Sequence, residues 1–485
     1  MSLEDCHRYI IRKLDVRIML FAFTFEFCSY LNRVCMGHAT NLGLNRDIIL
    51  STAEDDWSVA LIYLGYFIFA VPSALLILYM GTTIYLTIIL LVWGSLSIGM
   101  GFVKNVPLLL ALRFLLGMTI AGFFPGMLAY LSRCYPKTFR TMRIVVFYIA
   151  AILSAAVAGI LVFAIAKMDG IGGLESWQWL FIFIGIPVVL LGIATFLFLD
   201  KISNPLRFLQ PAEREILINN LCDETEPDAN EPEEKHYVQW CDIYSVLSSG
   251  KIWLFAAICV GNSAVTKYWI AYFPSLVKYI GYIDASESLM SSPPYASACV
   301  FALVGGLSAA RFNGHGYHMV VFDIISVIGF ALMAAFEGSS KVAVYFRDFL
   351  RILCIFRISY GFHGIGNPKS PPFPPCSGAY AAFALLVAWL TINVSGRIRR
   401  TLAISFVVGL GQIGGVIIPF INDKSSVPDF HRIHITLASL MFVSMILTLL
   451  LLVIFNRQAK FRMENQLQVD EEANNVQCAE LFVIG

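Results

Sequence analysis

The stretch "ALRFLLGMTIAGFFPGMLAYLSRCYPKTFRTMR", residues 111–143, decides the fold. It opens with a lone cation, Arg113, continues as an apolar run, and closes on Arg133, Lys137, Arg140 and Arg143. A lipid-spanning helix needs about 20 mostly apolar residues, and Lys and Arg collect on the cytoplasmic side of such helices. The stretch therefore reads as a span over 107–130 whose cationic end lies in the cytoplasm. Arg113 is left inside the apolar region, where a charge needs a partner or a wet cavity.

The whole chain follows this pattern. Of its 485 residues 58% are apolar and 14% charged, and the mean hydropathy is +0.73. Soluble domains carry roughly 25% charged residues, so the chain reads as a polytopic membrane protein. Comparable runs lie near 16–36, 58–80, 84–103, 107–130, 144–166 and 179–199. A second set covers 252–273, 294–312, 318–337, 378–394, 400–421 and 434–455. The fold expected is all-α, with twelve transmembrane helices in two six-helix bundles, 16–199 and 252–455.

Orientation follows from the cations. With both termini inside, twenty fall on the cytoplasmic side (among them Arg12, Lys13, Arg17, Arg397, Arg399 and Arg400) and seven outside: Arg46, Lys104, Lys167, Lys278, Lys341, Lys424 and Arg432. This asymmetry predicts a cytoplasmic N-terminus (1–15), linker (200–251) and tail (456–485). The start, "MSLEDCHRYIIRKLDVR", has acids and no early apolar core, unlike a cleaved signal peptide. The linker stretch "CDETEPDANEPEEKH" is acidic and poor in apolar residues, as expected of a mobile tether. The tail after Arg462 is similarly polar and is expected to be disordered.

Other function classes find little in the sequence. The net charge of +1, with no basic tract, does not suggest nucleic acid as a partner. The eleven cysteines form no CxxC pair and read as small buried hydrophobes, so no metal site is expected. There is no Walker lysine for a nucleotide and no nucleophile motif within the spans, and we expect no enzyme and no cofactor.

Charges inside the spans carry the functional expectation. A cation at helix depth costs about 2.5–3.5 kcal/mol on insertion scales. Arg33, Arg113 and Lys267 fall in the outer thirds of the first, fourth and seventh helices. Three cations at matched depth suit an anion-attracting vestibule, with arginine as the bidentate carboxylate ligand and lysine as a point charge. Snorkelling or helix tethering is the structural alternative. Glu26, near the midpoint of the first helix, is the deepest carboxylate and the candidate for proton coupling. Tyr66, Asn262, Asn393 and Gln412 complete the expected binding set, with Tyr268 and Trp389 as further aromatic candidates.

Local motifs add a resemblance. The chain resembles the major facilitator superfamily, and within it the fungal anion:cation symporters of allantoate permease type. The residues carrying it are "LNRVCMGHA", "GYFIFAVPS", "RFLLG" with "AGFFPG", "MDGIGGLESWQWLF", "NPLRFLQPAER", "SSPPY", "AWLTINVSG" and "GLGQIGGVIIP", in that order over roughly 13–456. The resemblance implies a secondary transporter for a small organic anion, a carboxylate of vitamin-like or nitrogenous type, driven by proton symport through alternating access, and working as a monomer in the plasma membrane or, alternatively, an organelle membrane. It implies substrate contact for Arg33 and gating for Arg143 and Arg311. A non-transporting nutrient receptor and an inactive degenerate carrier are alternative readings of the same fold. Asn32, Ile120, Phe139 and Gln178 depart from the pattern, standing where the family commonly has three acids and an arginine.

One segment interrupts the spans. "VAVYFRDFL" (342–350) is expected to run into "SGAYAAFALLVAWL" (377–390) as one tenth helix. Residues 351–376 intervene and include "PKSPPFPP", which cannot continue a helix because proline lacks the amide donor. We read 351–376 as an insert, either a retained intron or an extracellular loop.

Overall fold

Asn105 begins the helix that carries the opening stretch. Its side chain accepts from the Leu108 amide, and Pro107 sits in the first turn, where a missing amide donor costs nothing. The computed structural model describes residues 3–202, 210, 213, 238–279, 292–335, 373–421 and 430–483. Among them are helices and no strand.

The first half holds α1 (Leu20–Ala39), α2 (Thr52–Met80), α3 (Thr82–Met100), α4 (Val106–Ser132), α5 (Lys137–Ile165) and α6 (Ser176–Ile202). The second holds α7 (Gly250–Tyr279), α8 (Ser292–Phe312), α9 (His315–Ala335), α10 (Phe373–Asn393), α11 (Arg397–Ile421) and α12 (Phe430–Val483). Eleven of these, α2 to α12, are long and apolar enough to cross a membrane. The remaining helix, α1, is 20 residues long and carries Glu26 and Arg33. The fold is the all-helical arrangement expected.

Several junctions follow directly from sequence. Ser51 and Glu54 form a capping box at the start of α2, and the turn into α3 is the single residue Gly81 at φ 82°. In α4 the helix breaks at Ala121–Gly122, between Ile120 and Phe123. A Cβ on Gly122 would lie 2.0 Å from the Tyr85 hydroxyl, so only glycine lets α3 approach there. Between α5 and α6, Asp169 accepts from the amide and hydroxyl of Ser176, which hold its carboxylate below the ordinary range. The Trp177 indole donates to Asp47 at 2.6 Å, which fastens the SWQW stretch to the short helix Asn45–Asp47 that follows α1.

Three expectations are corrected. First, α5 starts at Lys137 after Pro136, seven residues before the expected 144, so Lys137, Arg140 and Arg143 lie in its first turns. They are not a trailing end of α4. Second, α10 starts at Phe373, with Pro374 and Pro375 in the first turn, where proline is tolerated. Residues 373–376 thus belong to α10, and 351–372 lie outside the described residues. Third, the tail expected to be disordered continues α12 to Val483. Its sequence to that point is rich in helix formers and free of Gly and Pro, and Lys460 faces Glu464 one turn on.

The two halves meet along a seam: α1 packs on α7, α2 on α11, and α5 on α8 and α10. Small residues set the closest approaches. A Cβ on Gly37 would lie 2.7 Å from the Ile270 carbonyl, and Cβ atoms on Gly409 and Gly306 would meet Ala70 and Val145. Contacts exist at both ends of the seam. Trp57 and Phe420 stack edge-on at 5.1 Å on the face opposite the N-terminus. On the N-terminal face, Thr141 and His315 lie 2.9 Å apart.

Candidate functional site

Glu26 and Arg33 are seven residues apart, which puts them on one face of α1, about 10 Å apart along its axis. Glu26 is 1% exposed, and neither of its carboxylate oxygens has a hydrogen-bond partner among the described residues. The charges that act on it are those of Arg33 and Lys267. Arg33 donates to Ser29 at 3.2 Å, lies over the Tyr30 ring at 5.2 Å, and leaves its Nε buried with no hydrogen-bond partner among the described residues.

Arg113 answers the question posed by the opening stretch. It is 2% exposed and donates through Nη1 to Ser58 of α2 at 3.0 Å. Asp55 acts on it electrostatically, while its Nε and Nη2 are buried without hydrogen-bond partners among the described residues. That edge of a guanidinium is a ready-made fork for a carboxylate. Lys267 is also buried, with Nζ 5.3 Å from the Tyr63 ring centroid. A cation–π contact supplies at most about 2 kcal/mol, whereas removing an ammonium from water costs several. Tyr63 alone does not compensate Lys267.

Tyr63 joins the cluster. Arg33 and Arg113 both act on its hydroxyl, while Lys267 lies over its ring. A Cβ on Gly415 of α11 would come within 2.7 Å of Tyr63 Cγ and 3.1 Å of Lys267 Cγ. Glycine at this point is what lets side chains of α2 and α7 meet across the seam. Further tyrosines extend the lining: Tyr66 is buried under the influence of Arg33 and Glu26, and Tyr30 donates to Tyr380 at 3.4 Å.

The remaining expected residues divide. Asn262 and Gln412 are buried, each amide nitrogen donates to the carbonyl one turn back, and Asn262 Oδ1 and Gln412 Oε1 have no hydrogen-bond partner among the described residues. Gln412 lies midway between Gly409 and Gly415 on the face of α11 that meets α2. Asn393 is placed elsewhere: it is exposed at the end of α10 and bonds the Trp389 carbonyl. Trp389 packs between Phe255 and Phe455, and Tyr268 pairs with His434 of α12 at 3.0 Å, so both take structural positions.

On the N-terminal face, Arg143 donates two hydrogen bonds to the Asp15 carboxylate, from Nη2 at 2.7 Å and Nε at 3.1 Å, within the first half of the chain. Beside the Thr141–His315 pair, Arg140 also crosses the seam on this face. It donates to the carbonyls of Ser132 and Tyr135, closing the end of α4, and to the Thr391 carbonyl of α10 at 3.3 Å. Arg311 is exposed at the end of α8. Nearby, Lys13 and Glu213 pair at 2.7 Å, which holds the Glu213 carboxylate below its ordinary range. Sequence reasoning missed Tyr63, Ser58 and Arg140's crossing contact, because each depends on a partner from a distant helix.

Buried cations and one buried acid at the seam of two helical halves define a polytopic membrane transporter. Known proteins agree. The Major Facilitator Superfamily profile matches residues 22–372. The chain is 28% identical over 441 residues to the MFS transporter prlL of a fungal species, covering 89% of this chain and 83% of that protein. It is 27% identical over 449 residues to a "Putative tartrate transporter" of Agrobacterium vitis, covering 92% of each. Its fold superposes on the proton:xylose symporter XylE with a TM-score of 0.63 at 14% identity, covering 91% of this chain and 94% of that one. The chain belongs to the Major Facilitator Superfamily, a family of transporters rather than enzymes.

Proposed function

We propose that this transporter carries a small organic anion, with Arg33, Arg113 and Lys267 as its charged ligands and proton symport as its drive. The carrying observation is the free Nε–Nη2 edge of Arg113, buried beside a hydroxyl that is also under the influence of Arg33. A desolvated carboxylate needs such charge-assisted donors, and without an anion these cations are poorly compensated. The Agrobacterium vitis relative, named for an organic acid, supports the same class. Tyr66, Asn262 and Gln412 supply neutral contacts in this reading.

Glu26 is the proton-coupling group. It lies on the face of α1 that bears Arg33, and both cations acting on it belong to the anion site. Binding of an anion draws those cations away from Glu26 electrostatically, so substrate and proton favour one another. This coupling is needed: an inside-negative potential opposes anion entry by about 2.3 kcal/mol per charge per 100 mV. More than one proton per monoanion reverses that opposition.

The two halves rock about the seam, as alternating access requires. Both termini are cytoplasmic, the N-terminal face is the cytoplasmic one, and Arg140 with the Thr141–His315 pair forms its gate. Arg143 supports the gate by holding Asp15. The protein works as a monomer in a cellular membrane, with the plasma membrane as the proposed site.

The test is uptake of radiolabelled carboxylates into proteoliposomes containing the full chain, with a pH gradient acid outside. Accumulation that collapses with a protonophore is expected. Binding without accumulation under any gradient would make the chain a receptor instead.

A further inference from the structure

Lys267 stands apart from the arginines. It is the cation of the cluster contributed by the second half of the chain, whereas Arg33 and Arg113 come from the first. It is 7% exposed and makes no hydrogen bond or ion pair with any described residue. Its ammonium lies over Tyr63, and the charges around it are Arg33, which repels it, and Glu26. Gly415 keeps the space in which its side chain meets Tyr63.

Charge balance sets the substrate class. Arg113 and Lys267 are buried and Arg33 is half-buried; Glu26 is the acid shared by Arg33 and Lys267, and Asp55 is the acid that acts on Arg113. When Glu26 carries its proton, Asp55 offsets the charge of Arg113 and two positive charges remain, so a single carboxylate leaves one uncompensated in a desolvated setting. A second anionic group removes that one. Arg113 already offers a complete fork on the α4 side, so a second group has Lys267 and Arg33 available on the α1–α7 side.

Resting on the organic-anion reading, we propose that Lys267 is a second anion subsite and that the substrate is a dianion, such as a dicarboxylate. One carboxylate takes the free edge of Arg113, and the other is shared by Lys267 and Arg33. Because these ligands come from opposite halves, a dianion links the two bundles, while a monoanion on Arg113 engages the first half only.

The experiment measures thermal stabilisation of the purified full-length protein in detergent by the dicarboxylates malonate to adipate, each beside its half-amide. The half-amide keeps size and one charge but replaces the second carboxylate by a neutral amide. At least one diacid is expected to bind tenfold or more tightly than its half-amide. Lys267→Met is expected to bring the diacid down to the half-amide's affinity, and Lys267→Arg, which keeps the charge, to retain most of the preference. Equal binding of diacid and half-amide, or a preference that persists in a folded Lys267→Met protein, overturns the second subsite while leaving the anion reading intact. Failure of every acid and half-amide to bind overturns both.

Discussion

At the residue scale, the proposed carrier divides its work between Arg113, which would hold the substrate, and Glu26, which would couple its movement to a proton. Arg113→Ala removes the free fork and leaves Ser58 without its cationic partner. Losing one member of a buried charge pair costs about 3–5 kcal/mol, so substrate affinity should fall at least about a hundredfold, as read by uptake kinetics. Arg113→Lys should fall less, since it keeps the charge and loses the planar edge. Unchanged uptake at normal surface expression would refute the role. Glu26→Gln should behave differently: counterflow exchange survives, while pH-driven accumulation disappears. Retained accumulation would leave Glu26 a structural acid. These charges were legible in the sequence because an ion inside an apolar run is conspicuous and costly. Tyr63 and Ser58 were not, since hydroxyls are ordinary in spans and their meaning comes from cations on other helices. Asn393 misled for the converse reason, as its polarity reflects an exposed helix end.

At the element scale, the helix ends carry the information that hydropathy alone obscured. Apolar runs located the middle of α5, but its start depends on Pro136, and the three cations that follow are helical. Arg140 uses that placement to close the carbonyl end of α4 and reach α10. Hydrogen bonds from a charged donor are each worth about 1.5–3 kcal/mol. Arg140→Ala should therefore lower stability by about 3 kcal/mol or more, read as a reduced midpoint in thermal unfolding in detergent, and increase cysteine accessibility on the N-terminal face. A stable, fully protected variant would remove Arg140 from the gate. On α11 the corresponding test is Gly415→Ala. The added methyl has no room beside Tyr63 Cγ and Lys267 Cγ, so affinity for anions should drop while the helix itself, freed of a flexible residue, keeps its stability. Wild-type affinity in that variant would show that Tyr63 and Lys267 do not need their present approach. The proline-bearing start of α10 shows the same limit of sequence reading, because two prolines mark a break only when they fall beyond the first turn.

At the scale of the whole molecule, the two halves touch at both ends of one seam, with the charged cluster between. Such a closed seam is an expected intermediate of a rocking carrier, and the direction of transport depends on which face is cytoplasmic. The sequence alone assigns twenty cations to the segments expected on the N-terminal side against seven on the other, and among the described residues the paired Lys13–Glu213 and Arg143–Asp15 contacts lie on the N-terminal side. Cys241 supplies a direct reporter, since it is exposed beside the start of α7 on the N-terminal face. In a variant retaining only this cysteine, a membrane-impermeant maleimide should leave Cys241 unmodified in intact cells and label it after permeabilisation. Labelling in intact cells would invert the molecule, put the Arg140 contact on the outside, and turn the proposed importer's gate into its entrance. Protection would instead place the acidic linker and both termini in the cytoplasm together, because an even number of spans separates each from the next.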